Sequence, residues 1–555
     1  MISFSRPIFL SIVLSTLGAV LPQAQAAANF FLGQTNPSES ANFSSGTNDF
    51  NAIEVGNIYA SNSLLISSGA VVTNSSVYLG NGANSSNNSL LVTDPNSTLS
   101  GGILYVGYAG PSNSLVISNA GTVINSQGYI GYTNTASNNS VLVTGTNSLW
   151  KSGPLYFGYN SDGNSLVISN GGTVSNSSLG YIGSNSTSSN NSVLVTGTNS
   201  LWKSSSTLYI GRGSAGNSLV ISNGGTVSNG VGIIGSLLTA TNNSVLVTGA
   251  NSTWSNTLLT IGSSGSGTLT IASGGKVTSP SLSIASSSGS RGTLNLGSLG
   301  GSDTAGMIQS PTIGFGSGTG IINFNQIDRA ILTSSITGTG TINQLGSGTT
   351  ILAASNSWNG NTLVSNGTLL ITGASGTGTI TVGTNGTLGG SGTITSETII
   401  NGALSPSAGT NPALLTFSTN LTLGSTATTT LQIAATNSYD QLSSGGTLTY
   451  AGALVMNLGS LLDFPAGTFT LFTPTSYVGD FTSIIATNSA AQSWIFGDNG
   501  GIWTTTTPTE SMSLSLLNGE LTVLSVPEPS TYALLILGGF ALLAAYKGSL
   551  RSRDS

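Results

Sequence analysis

The chain has 555 residues, of which only 5% are charged, with a formal net charge of −6, 77 glycines, no cysteine and no histidine. Helical surfaces draw on Glu, Lys and Arg, so a chain whose polar residues are mainly Ser, Thr and Asn points to strands and turns, an all-β protein. The same counts exclude a disulfide framework, a thiolate metal site and an imidazole base, and 10 Lys plus Arg leave no basic face for nucleic acid.

At the N-terminus Arg6 precedes an apolar run from Pro7 to Val20, followed by the small-residue stretch Ala24-Gln25-Ala26-Ala27-Ala28. This is the three-part pattern of a secretory signal peptide. Residues 1–26 are read as the signal, with cleavage after Ala26 and Ala28 as the other site. The export machinery is the first expected partner.

From there the sequence repeats. Asn138-Asn139-Ser140-Val141-Leu142-Val143-Thr144 returns almost unchanged from Asn190 and from Asn242, and a cousin phrase, Asn164-Ser165-Leu166-Val167-Ile168-Ser169, alternates with it. Counting both, the units start at 62, 88, 113, 139, 164, 191, 217 and 243. Many units close on a third phrase, as in Tyr129-Ile130-Gly131, Tyr181-Ile182-Gly183 and Tyr209-Ile210-Gly211. Three short strands separated by Gly/Asn/Ser turns, in a unit of about 25 residues, make one coil of a parallel β-helix. The expectation is a β-solenoid over residues 27–400, with the apolar triplets lining the interior. Asparagines at equivalent corners would form amide ladders that satisfy polar groups without charge.

Within this pattern Trp150, Trp202 and Trp254 recur at one phase, every second coil. Two readings are open: the indoles fill the coil interior, or they form an exposed stripe about 10 Å apart that stacks on an extended glycan. The second makes extracellular polysaccharide a candidate partner.

Beyond residue 255 the phrase decays, while strands such as Gly267-Thr268-Leu269-Thr270-Ile271 persist. From Asn401 the texture changes, and residues 401–525 are read as a less regular β cap or end domain. Long edge-rich solenoids of low charge also suggest end-to-end stacking. Gly360-Asn361-Thr362-Leu363-Val364-Ser365-Asn366-Gly367-Thr368-Leu369 resembles the repeats of bacterial autotransporter passengers. The stretch from Asn401 to Phe472, with Tyr439-Asp440-Gln441-Leu442, is similar to the passenger's C-terminal junction. No sequence of translocator-barrel length follows it here, so secretion through a linked barrel is not implied.

Residues 526–555 form a three-part tail: Val526-Pro527-Glu528-Pro529-Ser530, an apolar segment from Tyr532 to Tyr546, then Lys547, Arg551 and Arg553. The prolines hold the motif extended, and a helix is expected only after Pro529, with Ser530 as its cap. The apolar stretch is shorter than the ~20 residues of a usual span, but tyrosines and a snorkelling lysine at its ends extend it. It is therefore expected as a transmembrane-like helix, holding the chain in the inner membrane transiently or stably. The tail resembles the PEP-CTERM sorting signal of Gram-negative bacteria that make extracellular polysaccharide. That resemblance implies an exosortase-like processing enzyme acting at Pro527, Glu528 and Pro529.

Enzymes on parallel β-helices need clustered carboxylates. Here the acids are scattered, the densest set being Asp440, Asp463, Asp480 and Asp498 in the end domain, where turn roles explain them. No catalytic, cofactor or metal site is assigned. The expected function is a structural or adhesive component of the cell surface or biofilm matrix, followed by a carbohydrate-binding module and, last, a polysaccharide-active enzyme.

Overall fold

The computed structural model describes residues 28–408, 411–508, 510–526 and 529–551. The expected signal peptide with its cleavage at Ala26, and Pro527 and Glu528 of the tail motif, lie outside the described residues.

The chain is an all-β parallel solenoid of about 18 turns. In the regular part each coil contributes three strands to two sheets. Ser140–Thr144 belongs to sheet 1; Leu149–Ser152 and Leu155–Phe157 belong to sheet 2. Each pairs in parallel with its counterpart one coil on: Val141 faces Leu166, Trp150 faces Val174 and Tyr156 faces Tyr181. Pairing above and below satisfies every strand of the stack except those at its ends.

Side-chain alternation then sorts the residues. In Ser140–Thr144 only Val141 and Val143 are buried. Leu142, the middle member of the triplet, points outward, so the triplets do not line the interior as a block. The cause is the two-residue period of a strand: three consecutive apolar residues cannot all face one side.

The corner asparagines form the expected ladder. Asn62, Asn88, Asn113, Asn139, Asn164, Asn191, Asn217 and Asn243 are all fully buried. From Asn88 onward each Oδ1 accepts the backbone N–H of the preceding ladder asparagine at 2.8–3.0 Å and its Nδ2 at 2.8–3.2 Å, while the Asn62 Oδ1 accepts from Glu39 N–H at 2.9 Å. Successive rungs are 25–27 residues apart in sequence. The ladder also dictates the glycine that ends the third strand. Gly183 has φ +77°, and a Cβ there would overlap the Asn217 amide; Gly107 stands the same way against Asn139. Only glycine combines that backbone with that clearance.

The regular coil is not uniform along the chain. The ladder ends where Gly267 takes the register of Asn243. A second amide ladder follows on the outer side of sheet 1, Asn343 donating to Asn323 and Asn323 to Asn295, both at 2.9 Å. The first of these rungs still spans 28 residues; beyond Asn323 the coils shorten to 18–20 residues between bonded partners, and sheet 2 ends at Ser357–Trp358. The uniform coil of about 25 residues expected to residue 400 holds only for the first part, because later coils drop the separate third strand.

Parallel pairing continues past residue 400, through Ala453–Asn457 onto Ser483–Thr487, so the change in sequence texture at Asn401 precedes the change in pairing. The reversal comes after Thr487. Ser493–Asp498, Ile502–Thr506, Glu510–Ser515 and Glu520–Ser525 form an antiparallel meander, whose last strand returns to Gly467–Thr470. Trp494, Phe496, Trp503, Met512 and Leu514 are buried there. This meander covers the edge of Ser483–Thr487, whereas Phe472–Gly479 pairs on one side only, with Gln441–Tyr450.

The C-terminal helix spans Pro529–Arg551. It begins two residues earlier than a Ser530 cap would place it, since proline fits the first helical position, where its missing N–H has no partner to lose. Among the described residues no helix is long and apolar enough to cross a membrane, so the transmembrane character expected of Tyr532–Tyr546 is not established. From Ile536 onward its large apolar side chains, including Leu537, Phe540, Leu542 and Leu543, stand exposed.

Candidate functional site

The three tryptophans are interior residues. Trp150, Trp202 and Trp254 are 0% exposed, and each indole Nε1 donates to an asparagine Oδ1 in the preceding coil: Asn125 at 2.6 Å, Asn176 at 3.0 Å and Asn229 at 2.8 Å. A sugar cannot reach a ring enclosed on all sides, and the glycan-stacking reading is withdrawn.

Their spacing has a packing cause. In register, tryptophans alternate with valines, as Val174, Trp202, Val227 and Trp254 show. The preceding coil carries glycine where the tryptophan coil has leucine: Gly180 faces Leu208 and Gly128 faces Leu155. A Cβ on Gly128 would lie 2.7 Å from Leu155 Cδ1 and 3.2 Å from Trp150 Cζ2. Large coils thus fit over small ones, which doubles the sequence period.

The four aspartates of the end domain do not gather at one place, although Asp463 lies near Glu510, whose carboxyl is raised by burial and then by that neighbour. Asp440 is fully buried and accepts from Ala413 N–H at 2.7 Å, Gln432 N–H at 2.8 Å and the Ser407 hydroxyl at 2.9 Å. Burial pushes its carboxyl above the usual range, while those N–H and hydroxyl donors pull it back. It fastens the connection that carries Ser407 and Ala413 to the strand Thr428–Ala435. Asp480 accepts from Trp503 Nε1 at 2.8 Å, and Asp498 closes the turn to Gly501. Among the described residues no three His, Cys, Asp or Glu side chains gather as a metal site would require.

The surface feature that sequence reasoning passed over is built by the closing phrase of each coil. Tyr78, Tyr105, Tyr129, Tyr156, Tyr181 and Tyr209 stack outside sheet 2, with ring centroids 4.7–5.2 Å apart and planes within 5–13°. A second column, Tyr108, Tyr132 and Tyr159, stacks at 5.1–5.2 Å and meets the first edge-on at 5.0–5.4 Å. Both geometries are favourable for aromatic quadrupoles. The signal was present in the recurrent tyrosine before the closing glycine. It identified a strand end, but not which side of the sheet the ring would take.

Packing shifts the phenols. Burial, then repulsion from Tyr132, Tyr78 and Tyr108, pushes Tyr105 up from 10.0 to about 12. Tyr129, Tyr156 and Tyr181 are also raised, chiefly by burial. A pKa raised in the folded state means that neutral rings favour the fold. Their contribution is complete below the unfolded value near 10.0 and is lost as pH rises through about 12. In an alkaline titration followed by phenolate absorbance and circular dichroism, Tyr105, Tyr129, Tyr156 and Tyr181 are therefore expected to ionise late, together with loss of sheet signal. A single ionisation step with the sheet signal intact would contradict this.

The other broad surface is the outer side of sheet 1, where Leu91, Val116, Leu142, Val167 and Leu194 form a half-exposed aliphatic column. Ser114, Ser140 and Ser165 flank it on one side, and Ser118, Thr144 and Ser169 on the other. No charge interrupts these rows.

No protein-family model matches the chain. Over 99 residues it is 38% identical to the adhesin BmaC autotransporter of Brucella suis biovar 1 (strain 1330), a match covering 17% of this chain. The matched segment is 3% of that protein, so the chain spans a small fraction of the relative's length.

Proposed function

We propose that this protein is an exported, non-enzymatic adhesive or structural component of the bacterial cell surface or extracellular matrix. The observation that carries the reading is the similarity to an autotransporter adhesin in a chain whose described body is one long solenoid. Neutral rows of hydroxyl and aliphatic side chains suit contact with other neutral matrix polymers, because little charge must be desolvated on contact. Extracellular polysaccharide is the partner class assigned to these faces.

The route out is part of the proposal. The signal peptide ending at Ala26 directs export, and an exosortase-like enzyme acts on Pro527, Glu528 and Pro529.

Fractionating the native host, measuring the mass of the mature chain and comparing attachment with a strain lacking the chain tests the proposal. The expected product lacks Met1–Ala26 and the tail beyond the motif, lies outside the cell, and raises attachment severalfold. An unprocessed chain retained inside the cell, with attachment unchanged, would overturn it.

A further inference from the structure

We infer that the tyrosine surface of sheet 2 is a site of oxidative phenol coupling, at which tyrosines of neighbouring coils become joined ring to ring. The patch holds nine of the 15 tyrosines in the chain; Tyr105, Tyr129 and Tyr181 keep only 8–9% exposure, while Tyr78, Tyr156 and Tyr209 and the second column are more open to an oxidant. Coupling needs two phenols held close for the lifetime of a radical, and the stack supplies five consecutive pairs no more than 5.2 Å apart. These partners are fixed by backbone register, as Tyr129 is with Tyr156 and Tyr156 with Tyr181. Encounter is therefore already paid for by folding. With no cysteine in the sequence a disulfide cannot join the coils, whereas a phenol–phenol bond can.

The stoichiometry is complete with a peroxide oxidant and a haem peroxidase. Each of two phenols loses one hydrogen atom, an electron and a proton, to the oxidised haem. The two phenoxyl radicals then form a carbon–carbon bond between positions ortho to the hydroxyls. The ortho hydrogens move to the oxygens, restoring both phenols, and the peroxide is reduced to two waters. Each bond closes a covalent loop one coil long, which restricts the unfolded chain as a disulfide would.

Peroxide and a peroxidase are expected outside the cell, so the physiological setting rests on the exported location proposed above. The chemistry is tested on purified protein, and the two fail separately. The full chain is treated with a haem peroxidase and hydrogen peroxide, then assayed by dityrosine fluorescence and peptide mass mapping. The expected map joins Tyr105 to Tyr129, Tyr129 to Tyr156 and Tyr156 to Tyr181 within single chains, in a yield independent of protein concentration. Coupled protein unfolds at a higher urea concentration than untreated protein. Tyr129→Phe keeps the ring and the stack, verified by circular dichroism, and removes the bonds to position 129. Coupling confined to Tyr59 or Tyr477, bonds formed only between chains, or the same map from urea-unfolded protein would each overturn the inference.

Discussion

Replacing Asn164 with leucine is expected to destabilise the central coils by about 3–5 kcal/mol, although the side chain removed is neutral and the new one is similar in size. The Asn164 Oδ1 accepts from both the backbone N–H and the Nδ2 of Asn139. Its own Nδ2 donates to Asn191 Oδ1, Ser161 Oγ and the Asp162 carbonyl. Leucine removes all of these and leaves the Asn139 N–H orphaned in a site that water does not reach. One such orphan costs about 1–3 kcal/mol, and the lost amide bonds add about 1 kcal/mol each at most. Asn170 is the control. It lies in the turn of the same coil, is exposed and has φ +51°. Asn170→Gly retains that backbone and should cost under about 1 kcal/mol. Urea midpoints, with hydrogen exchange to show that the weakening centres on the coils of Asn139 and Asn164, make the comparison. Equal midpoints for the two variants would mean that the ladder carries no special share of the stability.

Trp202→Ala should cost a similar amount, about 3–5 kcal/mol, for a different reason. The indole is enclosed, its Nε1 holds Asn176 Oδ1, and its ring occupies space that Gly180 leaves free. Alanine opens a cavity that neighbouring coils cannot fill, because their register is fixed by pairing above and below. The reciprocal change tests the same packing from the other side. A Cβ on Gly180 meets Leu208 Cδ1 at 3.1 Å and Trp202 Cζ2 at 3.4 Å, so Gly180→Val is expected to cost about 1–3 kcal/mol. Combined with Trp202→Val it should cost less than the sum, since the indole is part of the obstruction. A double-mutant cycle measures this coupling. Strict additivity would show that tryptophan and glycine do not share one space.

Much of this architecture was legible in the sequence because a solenoid repeats its contacts at the period of its repeats. The buried asparagines could be located from the Asn-Ser phrase, and the coil length from the intervals between its copies. The tryptophan period was equally visible, yet it left two readings open. A period tells which residues are stacked, while burial depends on which side of the strand the phase selects, and a bend between strands resets that phase. At the same bend, Leu142 turned outward and Trp150 inward, though both are large and apolar.

The amino-acid order by itself determined the strand-rich class, the stacking of like on like, and the need for glycine after each third strand. These follow from local chemistry: turn preference, alternation, and amides that must find amides. Only the tertiary structure decided that the indoles are enclosed, that the tyrosines form a double external column, and that an antiparallel meander follows the last parallel strands. Each of these depends on how a coil bends and on what the next coil places above it. Residues a full turn apart in sequence thereby come within about 5 Å in space, and the choice between interior and surface is made there.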